Sequence, residues 1–432
     1  MTNTTITALD AWEALDSRGR PTVGCRVTLQ GGGIGRVITP SGASTGDFEA
    51  IELRDRDERY DGYGTRAATQ SLRGPISEAI IGLDAADQRG VDQAIEALDG
   101  DPALSHLGGN AALGASLAVL TAHADATREP LWRLLAPSQV PLIPLPMVNI
   151  VSGGAHAGRA IDIQDILVIP VGSSSFTEGI EWVARVRAAT AELLTEQGGW
   201  AALVADEGGL SARLETNEAA LALVTRGIER SGLKVADDVA IAVDIAASQL
   251  VEDGLIRLRS EDTTLTPEEW IARLVDWGRN YPIVSIEDPL GYSDWHSWRI
   301  ASEQLTDLQL LGDDLFATNV SRIERGVAEN VANSVLIKPN QAGLVTRTAD
   351  AVALSRQSDY ATVVSARSGD TEDYWLADLA VGWRAGQIKV GSTMRSERTS
   401  KWNRLLELEA TEFTDYAGRA ALAVLPRQVV IV

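Results

Sequence analysis

Cysteine is almost missing from this 432-residue chain. Cys25 stands alone, so no intrachain disulfide and no cysteine-built zinc site can form. Set in the alternating stretch "VGCRVTLQ", it reads as a core residue of a strand. No apolar run approaches the roughly 20 residues that span a bilayer. The opening "MTNTTITALDAWEALD" has no signal-peptide core, and a cytoplasmic location is the expectation. Positive charge is also short: 38 basic residues face 60 acidic ones, a net charge of −22 that would repel nucleic acid. An anionic small substrate would need metal ions or local cations to enter such a field. Lysine is scarcest of all. Only Lys234, Lys338, Lys389 and Lys401 interrupt the arginines. Arginine keeps its proton near neutral pH, whereas a buried lysine can give it up, so these four are worth locating.

The chain divides by pattern. Residues 5–30 alternate like strands, and "GGGIG" at 31–35 reads as a hairpin turn, because a strand and not a helix follows it. Residues 65–135 read as helices rich in alanine and leucine, and the proline-punctuated "LAPSQVPLIPLP" at 135–146 makes a boundary. Beyond it, short apolar strands alternate with amphipathic helices: "DILVIP", "VAIAVDI", "YPIVSIED", "LQLLGDD", "NSVLIKPN", "ATVVSAR" and "GQIKVGS". This alternation predicts a parallel α/β barrel, with a doubly wound open sheet as the alternative.

Each apolar run ends on charge: Asp244, Glu287, Asp313, Lys338, Arg367 and Lys389. Barrel sites are built at the C-terminal ends of strands, so the six would meet at one mouth. One such charge could simply reach solvent; three acids followed by three bases is a different matter. The carboxylates are hard oxygen ligands suited to Mg²⁺. A lysine among cations has its pKa lowered and can act as a base. Together they fit removal of a proton next to a carboxylate, with metal holding the enediolate. Glu207 in "VADEGG" could be a general acid or a turn residue. His156 in "GGAHAG" could serve the site or be structural. "PSGASTG" at 40–46 lacks the lysine of a phosphate-binding P-loop and reads as a lid. Arg367 and Ser368 offer a phosphate site.

"LDSRGRPTV", "PSGASTG", "GNAALGASLA", "PLPMVNI", "VADEGG", "VSIEDP", "GDDLFATN", "NSVLIKPNQAG", "SGDTEDYWLADLAVG" and "RSERTSKWNRLLELE" run in an order that resembles the enolase family, from about residue 8 to 409. The resemblance implies an N-terminal α+β capping domain over residues 1–135 with a mobile loop at 40–46. It implies a modified, TIM-like α/β barrel over residues 140–432. Asp244, Glu287 and Asp313 would hold one Mg²⁺, and Ser44 would help hold a second. Lys338 would take the C2 proton of 2-phosphoglycerate, Lys389 would pair with its carboxylate, and Glu207 would face the 3-hydroxyl. Arg367 with Ser368 would hold phosphate, and His156 and Gln164 match other site positions. A homodimer or larger homo-oligomer is implied by analogy. The family reads Gln-Glu at Gln164-Asp165 and Ser-His-Arg-Ser-Gly-Glu at residues 365–370, with asparagine at Arg20 and glutamate at Gln249. The half that makes the enediolate is thus kept, and Asp165 and Ala366 cut back the half around the C3 leaving group. The expectation is a specialised paralogue with a phosphonate co-substrate. An ordinary phosphopyruvate hydratase, another acid-sugar lyase and a non-catalytic role are the alternatives.

Overall fold

The computed structural model describes residues 3–43, 46–136, 139–412 and 415–424. An antiparallel meander comes first, Ile6–Leu15, Pro21–Leu29 and Ile34–Ile38, with Cys25 fully buried on the middle strand. The glycine run turns the second hairpin as expected: Leu29 N–H donates to the Gly33 carbonyl at 2.8 Å and Gly32 takes φ +90°. The helix Gly109–Thr127 is so rich in alanine that it packs directly on the sheet. At Gly35 a Cβ would lie 1.9 Å from the Ala118 carbonyl oxygen, so only glycine permits this approach.

Eight strands then close a barrel: Leu145–Ser152, Asp165–Ile169, Ala240–Asp244, Ile283–Glu287, Gln309–Gly312, Ser334–Ile337, Ala361–Ser365 and Gly386–Gly391, the last pairing with the first. All seven runs read as strands from the sequence are present. The first strand was hidden by its prolines, Pro144 and Pro146, which made residues 135–146 read only as a boundary. The barrel has the modified, TIM-like form expected, and the modification lies in one strand. The second strand runs antiparallel to both its neighbours. The reason is the short connection that precedes it: residues 153–164 hold only the 3₁₀ turn Gly154–Ala157, too little for a helical crossover, so the chain folds straight back.

Apolar side chains such as Leu145, Leu167, Ala242, Leu311, Leu336 and Val363 fill the barrel, and a larger core lies between barrel and helices. The outer helices are cut to length by local signals. In Pro267–Asn280, for example, Thr266 and Glu269 form a reciprocal cap at the N-terminus and proline takes the first helical position. Among the described residues no helix is long and apolar enough to cross a membrane.

Candidate active site

Strand direction decides what reaches the mouth. Asp244 and Glu287 close the third and fourth barrel strands, Asp313 and Lys338 follow the fifth and sixth, Arg367 follows the seventh, and Lys389 lies on the eighth. Because the second strand is reversed, its beginning and not its end lies here: Asp165 pairs in register with Asp244 and Ser152. That reversal brings Gln164 and Asp165 to the charges the other strands deliver.

The lysines stand between the acids. Lys389 Nζ donates at 2.7 Å both to Asp244 Oδ2 and to Glu287 Oε2, with all three side chains buried. Lys338 Nζ donates to Asp313 Oδ2, whose other oxygen accepts from Gln341 Nε2 at 2.8 Å. Burial opposes the charge of both amines, yet Asp313 keeps Lys338 above an ordinary lysine, and Asp244 with Glu287 holds Lys389 well above it. For Lys338 this reverses the expected lowering. With carboxylates as its nearest charges it holds its proton, although Arg367 and Lys389 pull the other way. Burial and the nearby Asp244 push Glu287 well above the usual carboxylate range. Asp313 lies lower than usual: burial raises it, and Lys338 and the other cations outweigh that.

Two buried carboxylate oxygens, Asp244 Oδ1 and Glu287 Oε1, accept no hydrogen bond among the described residues. Buried acceptors are rarely left so, and hard anionic oxygens facing a crowded acidic mouth suit a divalent cation. Asp288, Asp313 and Asp314 also bring ligand oxygens close enough to hold a metal, and His156, Asp165 and Glu207 bring a ring nitrogen and two carboxylate oxygens equally close. Ser44, the expected ligand on the loop, lies outside the described residues.

The other expected residues also converge. Gln164 Nε2 donates to Asp244 Oδ2 at 3.1 Å, and its Oε1 accepts from Gln249 Nε2 at 2.9 Å. Gln249, an amide, orients Gln164 and adds no charge. Glu207 is buried in the turn at 204–209, and its Oε2 accepts from Asn149 Nδ2 at 3.2 Å. His156 Nδ1 lies 2.9 Å from Asp165 Oδ2, and Ser152 donates to the other oxygen of Asp165. Burial works against a charged imidazole there, but Asp165, Glu207 and Asp244 raise His156 to about 9. Asp165, wholly buried, is raised in turn.

Arg367 is buried and already engaged: Nη1 donates to Glu49 Oε2 at 2.7 Å and to Asn340 Oδ1 at 3.1 Å. Ser368 Oγ accepts from Arg18 Nη1 at 3.2 Å. Ala366, also buried, lines the cleft beside them with its methyl group. Asp370 accepts from the buried Lys401 Nζ at 2.7 Å, so a third lysine is structural.

Sequence reasoning missed Glu49, Asn149, Asp288, Asp314 and Gln341. The doubled acids in "IEDP" and "GDDL" were a signal for two of them. Asp288 accepts the Asp313 and Asp314 amides at 2.9 and 2.7 Å and so shapes the turn that carries Asp313. Glu49 left no signal, because its partner lies 318 residues away.

Residues 6–135 match the family model described as the enolase N-terminal domain, and residues 140–424 match that of the enolase C-terminal TIM barrel domain.

Proposed function

The chain belongs to the enolase family, and from that premise we propose that it removes the C2 proton of a 2-phosphoglycerate-type substrate and passes through an enediolate to a phosphoenolpyruvate-type product. The observation that carries this reading is the alternation of acids and amines at the mouth, Lys389 between Asp244 and Glu287 and Lys338 on Asp313. Half of the chain's four lysines are committed there. With Asp313 given over to Mg²⁺, Lys338 would lose the carboxylate that keeps its amine charged, shed that proton and take the C2 proton at Nζ, and Lys389 turns from its two carboxylates to the carboxylate of the substrate. Arg367 and Ser368 take the phosphate. Asp244, Glu287 and Asp313 would hold one Mg²⁺, and Ser44, outside the described residues, would help hold a second. Such ions, when bound, neutralise the developing enediolate charge.

The C3 end supports a finer reading. Asp165 is drawn back onto His156 and Ser152, and residue 366 offers no imidazole. Loss of one proton-transfer group costs roughly 10²–10⁴ in rate. We assign the activity to a carboxyphosphonoenolpyruvate synthase of phosphinate natural-product biosynthesis, using a phosphonate co-substrate. A second reading, ordinary phosphopyruvate hydratase, draws on one observation: Glu207 is buried beside the site and held by Asn149, as a C3 acid would need to be.

The test is incubation with Mg²⁺ and 2-phosphoglycerate in D₂O, followed by NMR. Deuterium at C2 with little elimination supports the specialised enzyme. Rapid phosphoenolpyruvate formation supports the hydratase. Retention of the C2 proton with no product sinks both.

A further inference from the structure

Beside the catalytic mouth a basin of about 920 Å³ opens on the N-terminal side, sharing Ala43 and Glu49 with the mouth. Arg18, Arg20, Arg54, Arg56 and Tyr63 line it. Four guanidinium groups thus gather in one hollow of a chain whose net charge is −22. Two are already committed. Arg18 pairs with Asp16 at 2.8 Å, and Arg54 pairs with Glu52 while donating to the Tyr63 carbonyl at 2.9 Å.

The other two are not. The Arg20 guanidinium lies 4.6 Å over the Tyr63 ring and meets no carboxylate within ion-pair distance among the described residues. Arg56 is exposed, on a left-handed turn at φ +56°, and likewise has no such partner among them. In this structure the acids that line the basin are engaged elsewhere, Glu52 by Arg54 and Glu49 by Arg367. Stacking on tyrosine leaves the edge of the Arg20 fork free to grip an oxyanion with two donors. Arg18 bridges basin and mouth, because its Nη1 donates to Ser368 Oγ. The basin therefore meets the mouth at its phosphate end.

We propose that the basin is a second anion subsite that takes the phosphonate or phosphate group of a second substrate. The proposal rests on the reading of the mouth as a centre for 2-phosphoglycerate-type chemistry. Arg20 and Arg56 are its specificity residues, and Tyr63 positions Arg20.

Methylphosphonate is the probe, titrated by ³¹P NMR into the protein saturated with Mg²⁺ and 2-phosphoglycerate, with inorganic phosphate titrated in parallel. A saturating shift is expected. It weakens about tenfold or more in R20N/R56Q and is largely kept in R20K/R56K, because each lost charge-assisted hydrogen bond removes about a tenfold factor in affinity. The tighter of the two probes identifies the group. Absence of any saturable shift, or equal affinity in R20N/R56Q, would overturn the subsite. C2 exchange in D₂O is measured on the same samples of the parent protein. Exchange without methylphosphonate binding overturns the basin alone. Binding without exchange overturns the reading of the mouth alone.

Discussion

At the scale of single residues, two shortened side chains set the chemistry at C3. Ala366 lines open space and Asp165 is held by His156 and Ser152, so neither reaches outward to a leaving group. Restoring the family residues in D165E/A366H should raise phosphoenolpyruvate formation from 2-phosphoglycerate by about 10²-fold, with C2 exchange changed far less. Equal elimination rates in variant and parent would refute that account of the C3 end. His156 makes a second prediction. Its folded pKa of about 9 lies above the ordinary 6.5, so the charged imidazole stabilises the fold below pH 6.5 and that stability is lost as pH rises toward 9. The excess Tm of the parent over H156N should shrink across this window; a gap that stays constant would mean the imidazole is neutral throughout. The residues at strand ends were legible because a short continuous apolar run announces where it stops. The polar groups that hold them were not. Asn149 hides inside an apolar strand, and Gln341 acts on Asp313 from beyond the next strand.

At the scale of elements, the strand–helix alternation was legible down to seven of the eight barrel strands. Direction was not. An apolar pentapeptide such as Asp165–Ile169 reads the same in either sense, and only the brevity of its preceding connection reverses it. The join between the eighth strand and the turn carrying Glu207 depends on one backbone position. Gly391 has φ +115°, a Cβ there would sit 2.7 Å from the Glu207 carbonyl oxygen, and Ser392 N–H donates to that same oxygen at 2.8 Å. G391A combines left-handed strain with a backbone clash, each costing on the order of 1–3 kcal/mol. It should lower Tm by several degrees and reduce elimination more than C2 exchange, since Glu207 moves and Lys338 does not. Calorimetry and the D₂O assay read the two effects separately, and a variant that melts like its parent would refute the clash.

At the scale of the whole molecule, a share of the acid excess sits at the mouth. Buried carboxylates crowd the mouth, and Lys338 and Lys389 offset only part of their charge. A cation that binds the folded chain and not the unfolded one stabilises it by about 2.7 kcal/mol at a free concentration about 100-fold above Kd. Millimolar Mg²⁺ should therefore raise Tm by a few degrees and a chelator should reverse the gain, whereas a Tm indifferent to Mg²⁺ would argue against metal at these acids. The Glu49–Arg367 ion pair, buried on both sides, ties the N-terminal unit to the barrel. If Arg367 takes a phosphate as proposed, Glu49 is its built-in competitor. Each turnover would then begin by evicting an internal tenant and end with that tenant reclaiming its place, so the carboxylate that slows capture also hastens the departure of product.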